Sequence, residues 1–479
     1  MIDAWVPLAV HGSFEGDVAL VTDDSRKVIP GALFVAVKGF SADGHRYIDK
    51  ALEKGAAVIV SERAVENLPG GKLNVVVKDT RSILPALAQW FYGNPSEDLH
   101  LIGVTGTNGK TSVATLAYRL FQKAGFKAGL ISTVEIKIDD KTLPSVNTTP
   151  GLIDLYALLK NMKDEGVEYV FMEVSSHGID QGRIAGLRFA GGIFTNLTRD
   201  HLDYHGSFIR YRDTKKRFFD MLPSTAFALT NIDDKNGLFM LQNTRAAKYT
   251  YGLRNPADFK TEIVEMDFEG MLLRINRKEV WTPLTGTFNA YNLTAVYAAA
   301  VLSGMPEDEA LVLLSTLEGV KGRLEKIISA DGKIGIVDYA HTPDALEKIL
   351  KSVAEIRPEG RKIITVFGAG GDRDKGKRPL MGKTAALWSD LIVVTDDNPR
   401  TEDSRQIIDD ILQGIPAGKS ADTLVIPDRR QAIKTAVKLA RPGDIIVVAG
   451  KGHENYQIIG TEKLPFDDTE ELKKNFKSS

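Results

Sequence analysis

Residues 103–112, GVTGTNGKTS, hold the first chemistry legible in this chain. A glycine-rich turn lets backbone N–H groups face an anion, and a following Lys-Thr offers a point charge and a hydroxyl for a metal shell. The usual phosphate loop reads Gly, four residues, then Gly-Lys-Ser/Thr. Counted back from Gly109-Lys110-Thr111, its first glycine should stand at 104, where this chain has Val104. The local context is still the required one. Leu99 to Val104 is a short apolar run, and from Thr111 to Ala124 the residues Val113, Leu116, Ala117, Leu120 and Phe121 fall on one helical face. The turn is therefore predicted between a strand and a helix N-terminus, where amides and dipole both favour phosphate. The competing reading is a structural glycine turn that happens to hold a lysine.

Six further strand-like runs end in the same way. The full set is LIGVTGTNGKT, YVFMEVSSHG, GGIFTNLTRDH, IGIVDYAHTP, IITVFGAGGDRD, LIVVTDDNPR and IIVVAGKGHE. Each closes on Gly, Asp, His, Asn or Lys. Ligands of open parallel sheets bind at the carboxyl ends of strands, so repeated enrichment there predicts a shared site. Apolar run, polar loop and amphipathic helix alternate from Leu99 onward, the pattern of a parallel sheet with crossover helices.

Three textures divide the chain. Residues 1 to about 98 mix short strands (ALFVAVKG, AAVIVSE, NVVVKD) with one or two helices, and FYGNPSEDLH reads as a linker broken by Gly93, Asn94 and Pro95. Around 253–285 strand-like pieces alternate, TEIVEMDF and GMLLRINR, before the helical block NAYNLTAVYAAAVLSG; this stretch carries no functional reading. VKGRLEKI opens the third region. At 479 residues two to four domains are expected. A hydrophobic content of 43% and a charged content of 26% are those of a soluble globular protein, and a net charge of −2 gives no reason to expect nucleic acid or a membrane surface as partner. No cysteine is present, which excludes disulfides and thiol chemistry and fits a reducing, cytoplasmic setting. The N-terminus is not a convincing signal peptide, and no apolar run reaches the ~18 residues of a membrane span.

TGTNGKT, EVSSHG, TNLTRDHLDYHG and DYAHTPDAL, in this order, resemble the Mur ligases, ATP-dependent amide-forming enzymes of peptidoglycan assembly. DDSRKVIPGALFVAVKGFSADGHRYI near the start and GKGHENYQ near the end extend the resemblance over nearly the whole chain. It implies an α/β protein of three domains: a mixed α/β UDP-binding domain over 1–98, a central P-loop ATPase-like parallel sheet with helices over 99–322, and a Rossmann-like amino-acid-binding domain over 323–479. It also implies ATP and Mg²⁺ as cofactors, a cytoplasmic monomer, and UDP-N-acetylmuramoyl-L-alanyl-D-glutamate as the carboxylate substrate.

The resemblance assigns roles residue by residue. Gly106, Thr107, Asn108, Gly109, Lys110, Thr111 and Ser112 would cradle the phosphates of ATP, with Asn292, Arg323 and Asp338 at its other contacts. Asn289 and His341 are weaker companions, and Asn289 equally reads as a helix cap. Thr111, Glu173 and His201 would ligate Mg²⁺, joined by Lys215 as a carbamate; Lys110, Lys215, Glu173 and His201 form the catalytic set. The carbamate matches Tyr211, Lys215 and Phe218 of the family's spacing, with Lys216 as the competing register. Without the motif, KKR would read as a solvated helix face. Ser25, Phe40, Ser41, Ala42, Asn147, Thr148, Thr149, Ser175, Gln181 and Arg183 match contacts to the UDP-sugar peptide. For Thr148-Thr149 ahead of Pro150 the alternative is a helix cap, and for Arg183 a surface ion pair.

The incoming amine is left open between meso-diaminopimelate and L-lysine. Diaminopimelate carries a second amino-carboxylate, which calls for an arginine able to bind it bidentately. DNPR supplies Asp397, Asn398, Pro399 and Arg400 and reads like the family's diaminopimelate motif; Arg373 would take the other carboxylate, and Gly450 and Glu454 an ammonium. More distant readings are folylpolyglutamate synthetase, a P-loop ATPase that makes no amide, and a non-catalytic nucleotide-binding module.

Overall fold

The seven apolar runs are strands: His100–Thr105, Tyr169–Glu173, Gly191–Phe194, Ile334–Asp338, Ile363–Phe367, Leu391–Val394 and Ile445–Ala449. They read as continuous apolar runs because crossover helices bury both of their faces. The computed structural model describes residues 6–39 and 42–477. Phe40 and Ser41, two of the expected UDP-sugar contacts, lie outside the described residues.

The chain forms two compact units, Met1–Ile102 with Phe126–Ala190, and Gly103–Gly125 with Gly191–Ser479. In the first, a five-stranded sheet runs Ala9–Gly12, Leu73–Val76, Val58–Ser61, Leu33–Val35, Val21–Thr22. The last four are parallel and the first is an antiparallel edge. Val28, Phe34, Ile48 and Ile59 pack beneath it. The helix Thr80–Tyr92 starts at Asp79, whose carboxylate accepts the Arg81 and Ser82 N–H groups. It runs two residues into the segment read as a linker, and the break comes at Gly93, with φ +71°. The same unit holds Tyr169–Glu173 parallel to Ala128–Ile131, followed by the antiparallel strands Glu135–Ile138 and Lys141–Pro144.

In the second unit Gly191–Phe194, Phe227–Asn231, Ala247–Gly252 and Phe259–Met266 are successive parallel neighbours. The stretch with no functional reading is then explained: Phe259–Met266, Met271–Ile275 and Lys278–Thr282 form an antiparallel meander at the sheet edge. One face of it is buried under the helix Thr287–Leu302, where the Thr294 hydroxyl reaches Thr261 Oγ1 at 2.7 Å. That helix is apolar around most of its circumference, as a helix enclosed on several sides must be.

A six-stranded sheet follows in the order Glu325–Ile328, Ile334–Asp338, Ile445–Ala449, Ile363–Phe367, Leu391–Val394, Thr423–Val425. All neighbours are parallel except the first strand. Leu346, Leu350, Met381 and Ile408 pack on one face, Ile433, Val437 and Leu472 on the other. This is a doubly wound sheet, and its carboxyl edge is where DYAHTP, GGDRD, DNPR and GKGHE emerge. Among the described residues no helix is long and apolar enough to cross a membrane.

Candidate active site

Val104 is a fully buried residue of the strand His100–Thr105, so the position a standard loop gives to glycine here belongs to the sheet. The turn proper begins at Gly106. Its φ is +147°, and a Cβ there would lie 1.9 Å from Thr195 Oγ1. Gly109, with φ +87°, caps the helix Lys110–Lys123, and a Cβ there would lie 2.8 Å from Asn292 Oδ1. Neighbouring side chains hold the loop closely. Thr107 N–H donates to Asn196 O (2.8 Å), Asn108 N–H to Asn196 Oδ1 (3.0 Å), and Thr195 Oγ1 to Asn108 O (2.6 Å). The Lys110 ammonium curls back onto Gly106 O (3.1 Å) and Thr107 O (2.9 Å). Thr111 and Ser112, both buried, lie in the first turn of the helix.

Beneath the loop the helix Phe208–Asp220 presents Lys215 and Lys216, both buried rather than solvated. They differ in their partners. Lys216 pairs with Asp220 at 2.5 Å, one turn along its own helix. Lys215 donates to Gly106 O at 2.7 Å and lies over the Tyr211 ring. Burial pushes the Lys215 pKa well below the ordinary lysine range and the nearby Lys110 charge adds to the drop, against an opposing pull from Asp200. Of the two registers, only Lys215 touches the phosphate loop.

His201 adopts the left-handed conformation, φ +52°, with a half-exposed ring 3.4 Å from the Asp200 carboxylate. Burial would raise the Asp200 carboxyl, but His201, His341, Lys377 and Lys110 outweigh it and hold the group below its usual range. Asn289 is no cap: the helix begins at Thr287 after Gly286, and the Asn289 amide donates to Thr285 O (2.8 Å) and receives Asn292 Nδ2 (3.3 Å).

The third region reaches this loop within the same unit. Arg323 Nη2 donates to Thr111 Oγ1 at 3.1 Å, with the guanidinium over the Tyr339 ring. Asp338 Oδ2 accepts the Leu324 N–H at 2.7 Å, and burial lifts its carboxyl to about 6, partly offset by Arg323. His341 is drawn down by burial and by Lys377, and its Nδ1 bonds Tyr339 O.

At the carboxyl edge of the six-stranded sheet three loops meet. Arg400, at φ +54°, donates to Gly371 O (2.7 Å). A Cβ on Gly370 would lie 2.8 Å from Arg400 Nη1 and 3.8 Å from Arg373 Cγ, so these two arginines share one wall. Asn398 Nδ2 donates to Glu454 Oε2 (2.9 Å), and the fully buried Lys451 ammonium bridges Asn398 Oδ1 (3.0 Å) and Glu454 (3.1 Å). Pro399 is buried, and its carbonyl fills the space a Cβ on Gly371 would need. Asp397 Oδ2 sits 2.3 Å from where a Cβ on Gly450 would be, so only glycine allows that approach.

In the first unit, Glu173 is fully buried and accepts the Thr133 N–H (2.7 Å) and hydroxyl (3.2 Å). Thr148 Oγ1 meets Thr133 Oγ1 at 3.0 Å. Thr149 is not a cap, since the next helix starts at Leu152; its hydroxyl donates to Glu173 O (2.9 Å) and receives Ser175 N–H (3.0 Å). Arg183 donates to Thr149 O (2.7 Å) and to Gln181 Oε1 (2.6 Å). Asn147 is exposed beside this cluster, its carbonyl accepting Ser145 Oγ. Ser25 is buried, two residues before Lys27, which pairs with Asp154 at 2.6 Å. Ala42 is exposed and accepts the Gly39 N–H.

Sequence reading missed Asp200, Asp344, Lys377, Lys451 and Arg429. The first four stand inside or beside recognised motifs and could have been suspected. Arg429, in PDRRQA, reads as a surface charge, yet it is fully buried against Asp468.

Among the described residues no three His, Asp or Glu side chains form a ready-made metal shell. An oxygen donor such as the buried Thr111 hydroxyl suits Mg²⁺, which keeps waters and phosphate oxygens in most of its shell. A glycine-built phosphate loop at a strand end, approached by an arginine from the turn that leads into a separate Rossmann-like sheet, defines a nucleotide-using enzyme. Comparison with known proteins narrows the class. The Mur ligase family catalytic domain matches residues 17–92, the Mur ligase middle domain 104–300, and the Mur ligase glutamate ligase domain 322–452. The UDP-N-acetylmuramoyl-L-alanyl-D-glutamate--2,6-diaminopimelate ligase of Parabacteroides distasonis is 54% identical over 465 residues, covering 97% of this chain and 96% of its own. Its counterpart from Bacteroides thetaiotaomicron is 52% identical, covering 99% of each. A solved structure of a ligase of that name matches with a TM-score of 0.66 at 33% identity, over 96% of this chain and 94% of the other. This chain belongs to the Mur ligase family.

Proposed function

We propose that the chain uses ATP to add meso-2,6-diaminopimelate to UDP-N-acetylmuramoyl-L-alanyl-D-glutamate. The substrate carboxylate attacks the γ-phosphorus, the bond to ADP breaks, and an acyl phosphate forms. The amine then attacks the acyl carbon, phosphate leaves, and an amide results. The protein's part is to screen negative charge and to hold the amine against the acyl carbon. Amides of Gly106 to Ser112 and the Lys110 ammonium, here turned onto Gly106 O and Thr107 O, would face the phosphates. Arg323 and Asp338 would close on the nucleotide from the third region, with Asn292 beside the loop. Mg²⁺, when bound, screens the phosphate oxygens; Thr111, His201 and Lys215 as its carbamate would hold it in the second unit, and Glu173 is a further proposed ligand at its own strand end. Burial supports the Lys215 assignment, because it favours the neutral amine, the form that reacts with CO₂. Ser25, Ala42, Asn147 to Thr149, Ser175, Gln181 and Arg183 are proposed for the UDP-sugar peptide.

One observation carries the choice of amine. Arg400 and Arg373 share the wall beside Gly370, while Glu454 and Asp397 stand on the adjoining loops. Two arginines on one wall suit the second carboxylate of diaminopimelate, which lysine lacks, and the carboxylates beside them, Glu454 already paired with Lys451, suit its ammonium. Phosphate release from ATP with the UDP-sugar dipeptide should therefore depend on diaminopimelate and not on L-lysine. Arg400→Ala should lower kcat/KM for diaminopimelate by about 2 kcal/mol, roughly thirtyfold. Release with lysine alone would overturn the assignment of the amine; release with neither would overturn the ligase reading.

A further inference from the structure

Asp344 stands in the first turn of the helix Pro343–Ile356, where a carboxylate would be expected to favour the helix end. It does not serve as the cap. Thr342 does that, its hydroxyl accepting the Ala345 N–H at 3.3 Å. The Asp344 carboxylate is turned instead to the phosphate loop. Its Oδ2 accepts Asn108 Nδ2 at 2.8 Å, Thr198 Oγ1 at 3.2 Å and Lys348 Nζ at 2.8 Å. Asn108 is the centre of GTNGK, and the Thr198 N–H donates to Thr107 Oγ1 at 3.0 Å. One carboxylate oxygen thus ties the nucleotide loop, directly at Asn108 and through Thr198 at Thr107, to a helix of the six-stranded segment. The backbone of Asn108 is already fixed by Thr195 and Asn196, so Asp344 is what orients its carboxamide. A second side-chain bond between this loop and that segment runs from Arg323 to Thr111.

We propose that Asp344 is a positioning residue that fastens the phosphate loop to the amine-binding segment and so couples the two ligands. Nucleotide seated on the loop steadies the Asp344 contact, and the contact steadies the segment carrying Arg400 and Glu454. This rests on the ligase reading for the identity of the amine. By linkage, the coupling must be reciprocal.

The test is calorimetric titration of the full chain with diaminopimelate, with and without Mg²⁺ and a non-hydrolysable ATP analogue. Wild type should bind diaminopimelate at least about fivefold more tightly when the analogue is present. Asp344→Ala should keep the affinity measured without nucleotide and lose most of that gain. Asp344→Asn, which keeps acceptors for Asn108 and Thr198, should retain part of it. Thr198→Val combined with Asp344→Ala should lose no more than Asp344→Ala alone. An unchanged gain in Asp344→Ala, or additive losses in the double variant, would overturn the proposal. Hydrogen exchange of the helix Pro343–Ile356 separates the two ideas: the analogue should protect it in wild type and not in Asp344→Ala, whatever the amine. Protection without any diaminopimelate binding would fault the ligase reading and leave the fastening intact; equal protection in both proteins would fault the fastening.

Discussion

Replacing Arg429 should test how the amine loops are held. The guanidinium opens the helix Arg429–Leu439 and, like its partner Asp468, has no side-chain exposure. Nε and Nη2 each reach the Asp468 carboxylate at 2.7 Å. The remaining donors go to Ala449 O (3.0 Å) and Asp396 O (3.3 Å), the carbonyls immediately before Gly450 and Asp397. Arg429→Ala strands a buried carboxylate, at a cost of about 3–5 kcal/mol. Two carbonyls also lose their donor. Against a typical domain stability of about 5–15 kcal/mol, that loss is severe. The pair is buried, so the cost should hardly change with salt, unlike that of exposed pairs such as Arg26–Asp24. Arg429→Met with Asp468→Leu should recover most of the stability, since it leaves no charge behind. It should not recover the loops, and the KM for diaminopimelate should stay raised while that for ATP stays near wild type. Urea unfolding of the full chain, with hydrogen exchange read on Ile445–Ala449 and Leu391–Val394, measures the first part; steady-state kinetics measures the second. A loss below about 1 kcal/mol in Arg429→Ala, typical of an exposed pair, would refute the reasoning.

Two more expectations concern buried basic groups. Lys215→Met should lower ligation by about a hundredfold or more, the scale of removing one electrostatic group from a reacting centre, while Lys216→Met loses its pairing with Asp220 and its place over the Phe239 ring and stays close to wild type. Kinetics of the two variants decide it, and mass spectrometry under CO₂ reads the carbamate directly. His453 is held at about 3 by burial and by Arg323, His341, Lys321 and Lys451. Its folded pKa lies below the unfolded value of 6.5, so its contribution to stability is complete above pH 6.5 and is lost as pH falls toward about 3. His453→Gln should flatten that limb of a pH series of urea unfolding curves.

Strand ends were the legible part of this protein. The apolar runs are long enough and β-branched enough to name themselves, and their polar closures marked the loops that meet at Gly370 and Glu454. Texture also located the meander at 259–282, though period alone could not tell that it was a sheet edge rather than a site. What stayed hidden depends on partners far along the chain. The resemblance favoured Lys215 over Lys216 but could not show its contact with Gly106, and the cap offered as the alternative for Thr149 fails because Glu173 and Ser175 take its hydroxyl. Arg429 and Asp468 lie 39 residues apart, and neither carries a local signal.

The two glycines of the phosphate loop have a consequence for affinity. Gly106 and Gly109 are required by Thr195 and Asn292, side chains of the protein itself, before any ligand arrives. Fixing a backbone residue costs on the order of 1–2 kcal/mol in entropy. For this loop that cost falls within folding, so a nucleotide meets a cradle already set, and its binding energy is left for closure and chemistry.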